Sequence, residues 1–200
     1  MTRTELINQV AAAINAKSYL EIGLGDRVNF KGVNVSHKEG CDIKGVCTHR
    51  MPSKALWAML PATAQGQYLY DLIFVDGDHH YEPAFQDLLG ALKVGRVVIA
   101  HDVYPETATL AAAKHLEMGA WCGEVYRAFA QILGMQGVNG CAIPDDHGVG
   151  VLWHDTTSSA WAVPGISYTE LRADPERYIK LTTGRGMINR VRCEVMGERL

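Results

Sequence analysis

The sequence predicts an α/β fold: a doubly wound, mainly parallel sheet that ends in an antiparallel hairpin. Three observations lead there. Helical and strand-like stretches alternate through most of the chain. Two strand-like runs, LIFV at 72–75 and VVIA at 97–100, are apolar at every position, as strands covered by helices on both faces must be. Both runs stop abruptly at ionisable residues, Asp76 after the first and His101-Asp102 after the second. Interiors tolerate ionised groups poorly, so these strands end at an open edge.

Each element follows from local pattern. Leu6, Val10, Ala13 and Ile14 recur at helical spacing over 4–16, with Thr4 as a cap. Residues 18–22 (SYLEI) form a short strand running into Gly23 and Gly25, and 26–36 read as irregular. A second strand spans 37–42 and ends at Asp42; a third, very short one falls at 46–48. A helix begins at Ser53, behind Pro52. The strand over 71–76 comes next, then a helix over 81–92 with Pro83 in its first turn, where a missing N–H does no harm. Lys93-Val94-Gly95 closes it before the strand at 97–100. Helical segments are predicted at 106–118 and 122–134. Two strands, 138–143 and 148–153, flank the turn Pro144-Asp145-Asp146-His147 as a hairpin. A last helix covers 168–181 with a break at Pro175. This makes 1–182 a single domain, with 183–200 a tail of unassigned structure.

Composition narrows the function. The chain has 200 residues, 48% apolar and 20% charged, with a net charge of −3. No basic block is available to neutralise phosphates, which argues against nucleic acid as a partner. No apolar run approaches the roughly 20 residues that span a bilayer, so no membrane role is expected. Five cysteines without a CxxC pair argue against structural zinc and fit reduced thiols in a cytoplasmic protein. Nothing in the composition excludes a homo-oligomer.

The chemistry collects at strand ends. In open sheets of this kind ligands bind outside the carboxyl ends of the strands. The first strand delivers Glu21 and the Gly23-Leu24-Gly25 turn, the second Asp42, the one over 71–76 the cluster Asp76-Gly77-Asp78-His79-His80-Tyr81-Glu82, and the one over 97–100 His101 and Asp102. A dinucleotide fingerprint wants a third glycine at position 28, where Val28 stands. Asp42 lies 21 residues beyond Glu21, where an acid either accepts the hydroxyls of a ribose or is an ordinary solvated turn residue.

These stretches, EIGLG at 21–25, HKEGCD at 37–42, DLIFVDGDHHYE at 71–82 and VVIAHD at 97–102, resemble the class I S-adenosylmethionine-dependent methyltransferases. More narrowly, they are similar to a small bacterial and phage group with a strand-end DGxHxYE motif followed by a strand-end HD. WCGEVYR at 121–127 and GVGV at 148–151 look like later signatures of the group, and the likeness covers 16–155. The resemblance implies a Rossmann-like sheet binding S-adenosylmethionine and transferring a methyl group to a small-molecule acceptor. It implies that Gly23 and Gly25 let the backbone approach the methionine part of the cofactor, that Glu21 orients that loop, that Asp42 holds the ribose, that Thr48 and His49 line the adenine pocket, and that Asp76 lies near the sulfonium. Some small-molecule O-methyltransferases of this fold carry a divalent ion at two strand ends, and the corresponding residues here are Asp76, His101 and Asp102. Oxygen ligands suit magnesium, and a histidine tilts the set toward manganese. The same two acids and imidazole also serve as plain hydrogen-bond anchors.

His79 is the candidate general base, since an ordinary imidazole accepts a proton near neutral pH; the competing reading is a histidine that caps the next helix. His80 reads as surface, and Tyr81 and Glu82 as the start of that helix. Trp121, Glu124 and Arg127 share one helical face and either close over an acceptor or pack. Cys41 reads as a core thiol, while His147 and His154 are isolated. Two other classes stay open: a metal-dependent hydrolase or oxygenase using Asp76, His101 and Asp102, and a cofactor-binding module without catalysis.

Overall fold

The computed structural model describes residues 1–61, 63, 66–115, 119–161 and 165–198. Among these, seven strands form one sheet: β1 (Ser18–Ile22), β2 (His37–Asp42), β3 (His49–Arg50), β4 (Tyr70–Val75), β5 (Gly95–Ala100), β6 (Val138–Ile143) and β7 (Val149–His154). Their order is β3-β2-β1-β4-β5-β7-β6. β1 through β5 pair in parallel, and β7 runs antiparallel to both β5 and β6. The chain winds outward from β1 to β3 and then restarts at β4 on the other side of β1. The order therefore reverses between β1 and β4, and the crevice of a doubly wound sheet opens at their carboxyl ends.

Strand alternation builds two cores. Leu20, Ile22, Ile73, Val75, Val98 and Ala100 face one side, where α3 (Ser53–Met59), α4 (Tyr81–Val94) and α5 (Val125–Leu133) cover them through Leu56, Leu88 and Phe129. Tyr19, Leu72, Phe74, Val97, Ile99 and Trp153 face the other, under Leu6, Ile7 and Val10 of α1 (Arg3–Ala13). Because successive side chains of a strand point to opposite faces, a run such as LIFV serves both layers at once.

Several elements depart from the expectation. α1 starts earlier, because Thr2 and not Thr4 is the cap: its hydroxyl takes the Glu5 N–H while the Glu5 carboxylate takes the Thr2 N–H, a reciprocal box. It ends at Ala13, where Asn15 turns to φ 53°. Residues 28–32 form a short helix, α2 (Val28–Gly32), within the stretch read as irregular; none of its residues is buried, so no periodicity announces it. β3 lies at 49–50 and not at 46–48, because its pairing partners are Cys41 and Asp42 at the end of β2. The helix expected over 106–118 is a series of turns from 106 to 115, pinned where Leu110 O accepts the Cys122 and Gly123 N–H groups; positions 116–118 lie outside the described residues. The last predicted helix is two, α6 (Tyr168–Ala173) and α7 (Pro175–Ile179), broken at Asp174, which caps the second. Residues 184–195 form α8 (Gly184–Arg190), running into a π-helical turn at Val191–Val195. Met187 and Val191 join the core beneath α1. No helix of the described residues is long and apolar enough to cross a membrane.

Candidate functional site at the carboxyl edge of the sheet

The glycine turn is shaped by its neighbour strand. Gly23 adopts φ +79°, and a Cβ there would fall 2.0 Å from the carbonyl oxygen of Asp76. The turn can therefore lie directly against the end of β4 only with glycine at this position. Gly25, at φ +49°, has nothing within 4 Å of where its Cβ would stand, so that side of the turn faces open space. Asp42 completes the rim: its Oδ2 accepts from Leu24 N at 2.8 Å and Gly25 N at 3.3 Å, and its Oδ1 from Lys44 N at 2.8 Å. Glu21 lies beneath, only 1% exposed, with the Tyr19 hydroxyl donating to its Oε2 at 2.6 Å. Burial raises its carboxyl to about 7 against the hydrogen bond from Tyr19, and the nearby charge of Asp76 pushes the same way.

Beside the turn, β4 and β5 end in a dense charge cluster. Asp76, His101 and Asp102 each offer a ligand atom, all within 4.8 Å of one another. His101 and Asp102 are 3% and 4% exposed. Asp102 adopts φ 61°, a left-handed conformation open to aspartate and held here by local constraint. The constraint is visible: the next two residues, Val103 and Tyr104, donate their N–H groups to Gly148 O and His147 O in the β6–β7 loop. His101 Nδ1 stands 3.2 Å from Asp102 Oδ2 and 3.4 Å from Asp76 Oδ1. Burial disfavours its charged form, but Asp102, Asp146 and Asp76 outweigh this and push its pKa well up. For Asp76, burial likewise opposes ionisation, and His101, His79 and Arg3 outweigh it, holding the carboxyl far below its usual range.

His79 does not cap α4. That position falls to His80, which makes no side-chain cap bond and instead pairs through Nδ1 with Asp78 Oδ1 at 2.6 Å. The His79 Nδ1 meets the Trp121 carbonyl, which fixes the proton there and turns Nε2 toward Asp102 Oδ2 at 3.4 Å and Asp76 Oδ1 at 3.6 Å. Its pKa is raised: burial lowers it, and Asp76, Asp102 and the Trp121 carbonyl more than compensate.

Two members of the cluster are silent in the sequence reading. Arg3, in the first turn of α1, places Nη1 2.8 Å from Asp76 Oδ2 and 3.2 Å from His101 Nδ1. Its Nε and its backbone N–H both donate to Asp146 Oδ2, at 3.0 and 3.2 Å. One signal was available: a cation at a helix N-terminus opposes the helix dipole, so Arg3 needs an anionic partner elsewhere. Asp146 carried no signal, because an aspartate in a hairpin turn is ordinary.

The remaining residues lie along β2, in and beside β3, and around the start of α5. The His49 ring pairs with Glu39 Oε2 at 2.6 Å, and Glu39 also takes His37 at 2.9 Å and the Tyr70 hydroxyl at 2.8 Å. Thr48 is exposed, its hydroxyl accepting from Gly40 N at 3.3 Å. Trp121 does not share a helical face with Glu124 and Arg127. Gly123 at φ +58° precedes α5, and Trp121 lies outside it, its Nε1 donating to Ala112 O at 2.7 Å. Glu124 and Arg127 form an ion pair. Cys41 is a buried free thiol, pushed up to about 11 by burial.

No protein-family model matches this sequence, and no curated protein sequence does. Solved structures do match in shape. The O-methyltransferase TomG of Streptomyces achromogenes, solved with SAM, superposes with a TM-score of 0.53 at 16% identity, over 76% of this chain and 79% of its own. An O-methyltransferase of Bacillus cereus, solved with SAH, gives 0.54 at 13% identity, over 78% and 82%. A putative O-methyltransferase of Klebsiella pneumoniae gives 0.55 at 13%, over 76% and 80%. The chain shares their Rossmann-like fold. At these identities the likeness is one of architecture.

Proposed function

We propose that the chain is an S-adenosylmethionine-dependent methyltransferase acting on an oxygen of a small hydroxylated acceptor. The observation that carries this reading is convergence: the Gly23–Gly25 turn, Asp42 and Asp76 end three adjacent strands, β1, β2 and β4, at the point where the strand order reverses. The shared architecture supports it, since two of the matched O-methyltransferases were solved with SAM or SAH.

The residues fit such a cofactor. The open side of Gly25 leaves room for close backbone approach, and Asp42 lies on the same rim. Asp76 is ionised, and a carboxylate favours a cationic sulfonium most where water is excluded. When bound, the cofactor supplies an electrophilic methyl group. The chain's own work is to hold donor and acceptor in line and to take the acceptor's proton. His79 Nε2 is the atom for that proton: Nδ1–H is tied to the Trp121 carbonyl, and Asp76 and Asp102 stabilise the imidazolium that forms. The net charge of −3 favours a small acceptor over nucleic acid.

Calorimetric titration with S-adenosylmethionine and with its demethylated product tests the reading. Both should bind, and Asp42→Ala should weaken each at least tenfold. A native chain that binds neither ends the proposal.

A further inference from the structure

The strand-end set Asp76, His101 and Asp102 has the chemistry of a divalent-cation site, yet a side chain from the far end of the sequence already delivers positive charge to it. The Arg3 guanidinium touches two of the three, Asp76 Oδ2 at 2.8 Å and His101 Nδ1 at 3.2 Å. A magnesium-sized ion drawing on those same atoms would stand about 2.0–2.1 Å from each, directly against the guanidinium. The two cations are therefore alternative occupants.

Arg3 is not a loosely placed surface arginine. The reciprocal Thr2–Glu5 box fixes where α1 begins and so where Arg3 sits. Asp146 grips it from the opposite side through both Nε and the backbone N–H. The Asp146 backbone is held at φ 53° in the β6–β7 loop, and the same loop ties down β5 just past Asp102 through Gly148 O and His147 O. His101 Nε2 is buried without a hydrogen-bond partner, 3.8 Å from Asp146 Oδ1, while its Nδ1 side faces Asp102, Asp76 and Arg3 together.

We propose that Arg3 is the resident cation of the Asp76–His101–Asp102 cluster, holding the place of a divalent ion so that the native chain takes up none there. This stands apart from the methyl-transfer reading, because ion uptake is measured without cofactor or acceptor.

The test is a Mn²⁺ titration, followed by electron paramagnetic resonance, on the chelator-treated full chain and on Arg3→Ala. The native chain should show no saturable uptake up to millimolar Mn²⁺. Arg3→Ala should bind at least tenfold more tightly, lose that gain when His101→Ala is added, and show a melting temperature that rises with Mn²⁺. Native uptake as tight as that of the variant overturns the proposal, and so does a folded Arg3→Ala that gains nothing. If circular dichroism shows Arg3→Ala unfolded, Arg3→Gln removes the charge while keeping a donor for Asp76, and the same two outcomes apply to it.

Discussion

Gly23 rests its backbone on the carbonyl of Asp76, so closely that a single added carbon would come to 2.0 Å from that oxygen. The contact joins the end of β1 to the end of β4 and sets the floor of the crevice. Gly23→Ala must relieve the overlap and also hold alanine at positive φ, which together should destabilise the chain by about 2–4 kcal/mol. Gly25→Ala meets only the backbone penalty, about 1–2 kcal/mol, because nothing stands near its Cβ. Urea unfolding midpoints of the two variants give the comparison; equal losses would show that the packing at Gly23 does not matter.

The buried carboxyl of Glu21 predicts a pH dependence of stability. Its folded pKa, about 7, lies above the 4.5 of an ordinary glutamate. Between these values the folded chain binds more protons than the unfolded one, so stability falls as pH rises through that window. The contribution is fully present below pH 4.5 and lost above 7, and amounts to roughly 3 kcal/mol. Glu21→Gln keeps an acceptor for the Tyr19 hydroxyl without the charge. Relative to the native chain it should gain stability at pH 8 and little at pH 4.5. Parallel pH–stability curves for the two would remove Glu21 as the cause.

For methyl transfer, the raised pKa of His79 predicts a rate that climbs with pH through a midpoint above 6.5. Asp102 Oδ2 is 3.4 Å from Nε2, so Asp102→Asn should move that midpoint downward. His79→Gln should abolish the limb and lower the rate by about 10²–10⁴-fold. A midpoint unmoved in Asp102→Asn would mean that a different group titrates.

Behind α4, the buried Asp87 accepts the Trp57 indole N–H at 2.9 Å. Trp57→Phe keeps an aromatic side chain over Gly90 but withdraws a hydrogen bond from a buried carboxyl. The loss should be about 1–3 kcal/mol, read as a lower melting temperature. Asp87→Asn added to Trp57→Phe should restore part of it, since an amide is less dependent on that donor than a carboxylate.

The parts of this molecule that could be read from sequence are those whose cause is local. The apolar runs before Asp76 and His101 declare buried strands, and their polar ends declare the edge where ligands bind. Pro175 marks a helix break because its ring cannot continue a helix. What escaped reading has a cause elsewhere in the chain. α2 buries no residue and leaves no pattern. β3 is placed by its pairing with Cys41 and Asp42, not by its own sequence. Trp121 falls off the face predicted for it because Gly123 turns the backbone against His79 O. Arg3 and Asp146 belong to the charge cluster only through the fold.

Arg3 and Asp146 lie 143 positions apart. Their ion pair closes one of the longest loops in the chain, and such closures come late, after the entropy of the intervening segment has been lost. During synthesis the arginine emerges 143 positions ahead of its partner and waits for the hairpin. Until that hairpin docks, Arg3 can reach Asp76 but lacks the second acid that fixes it in place. The strand-end centre is thus complete only when β6 and β7 have joined the sheet, because the loop between them carries Asp146.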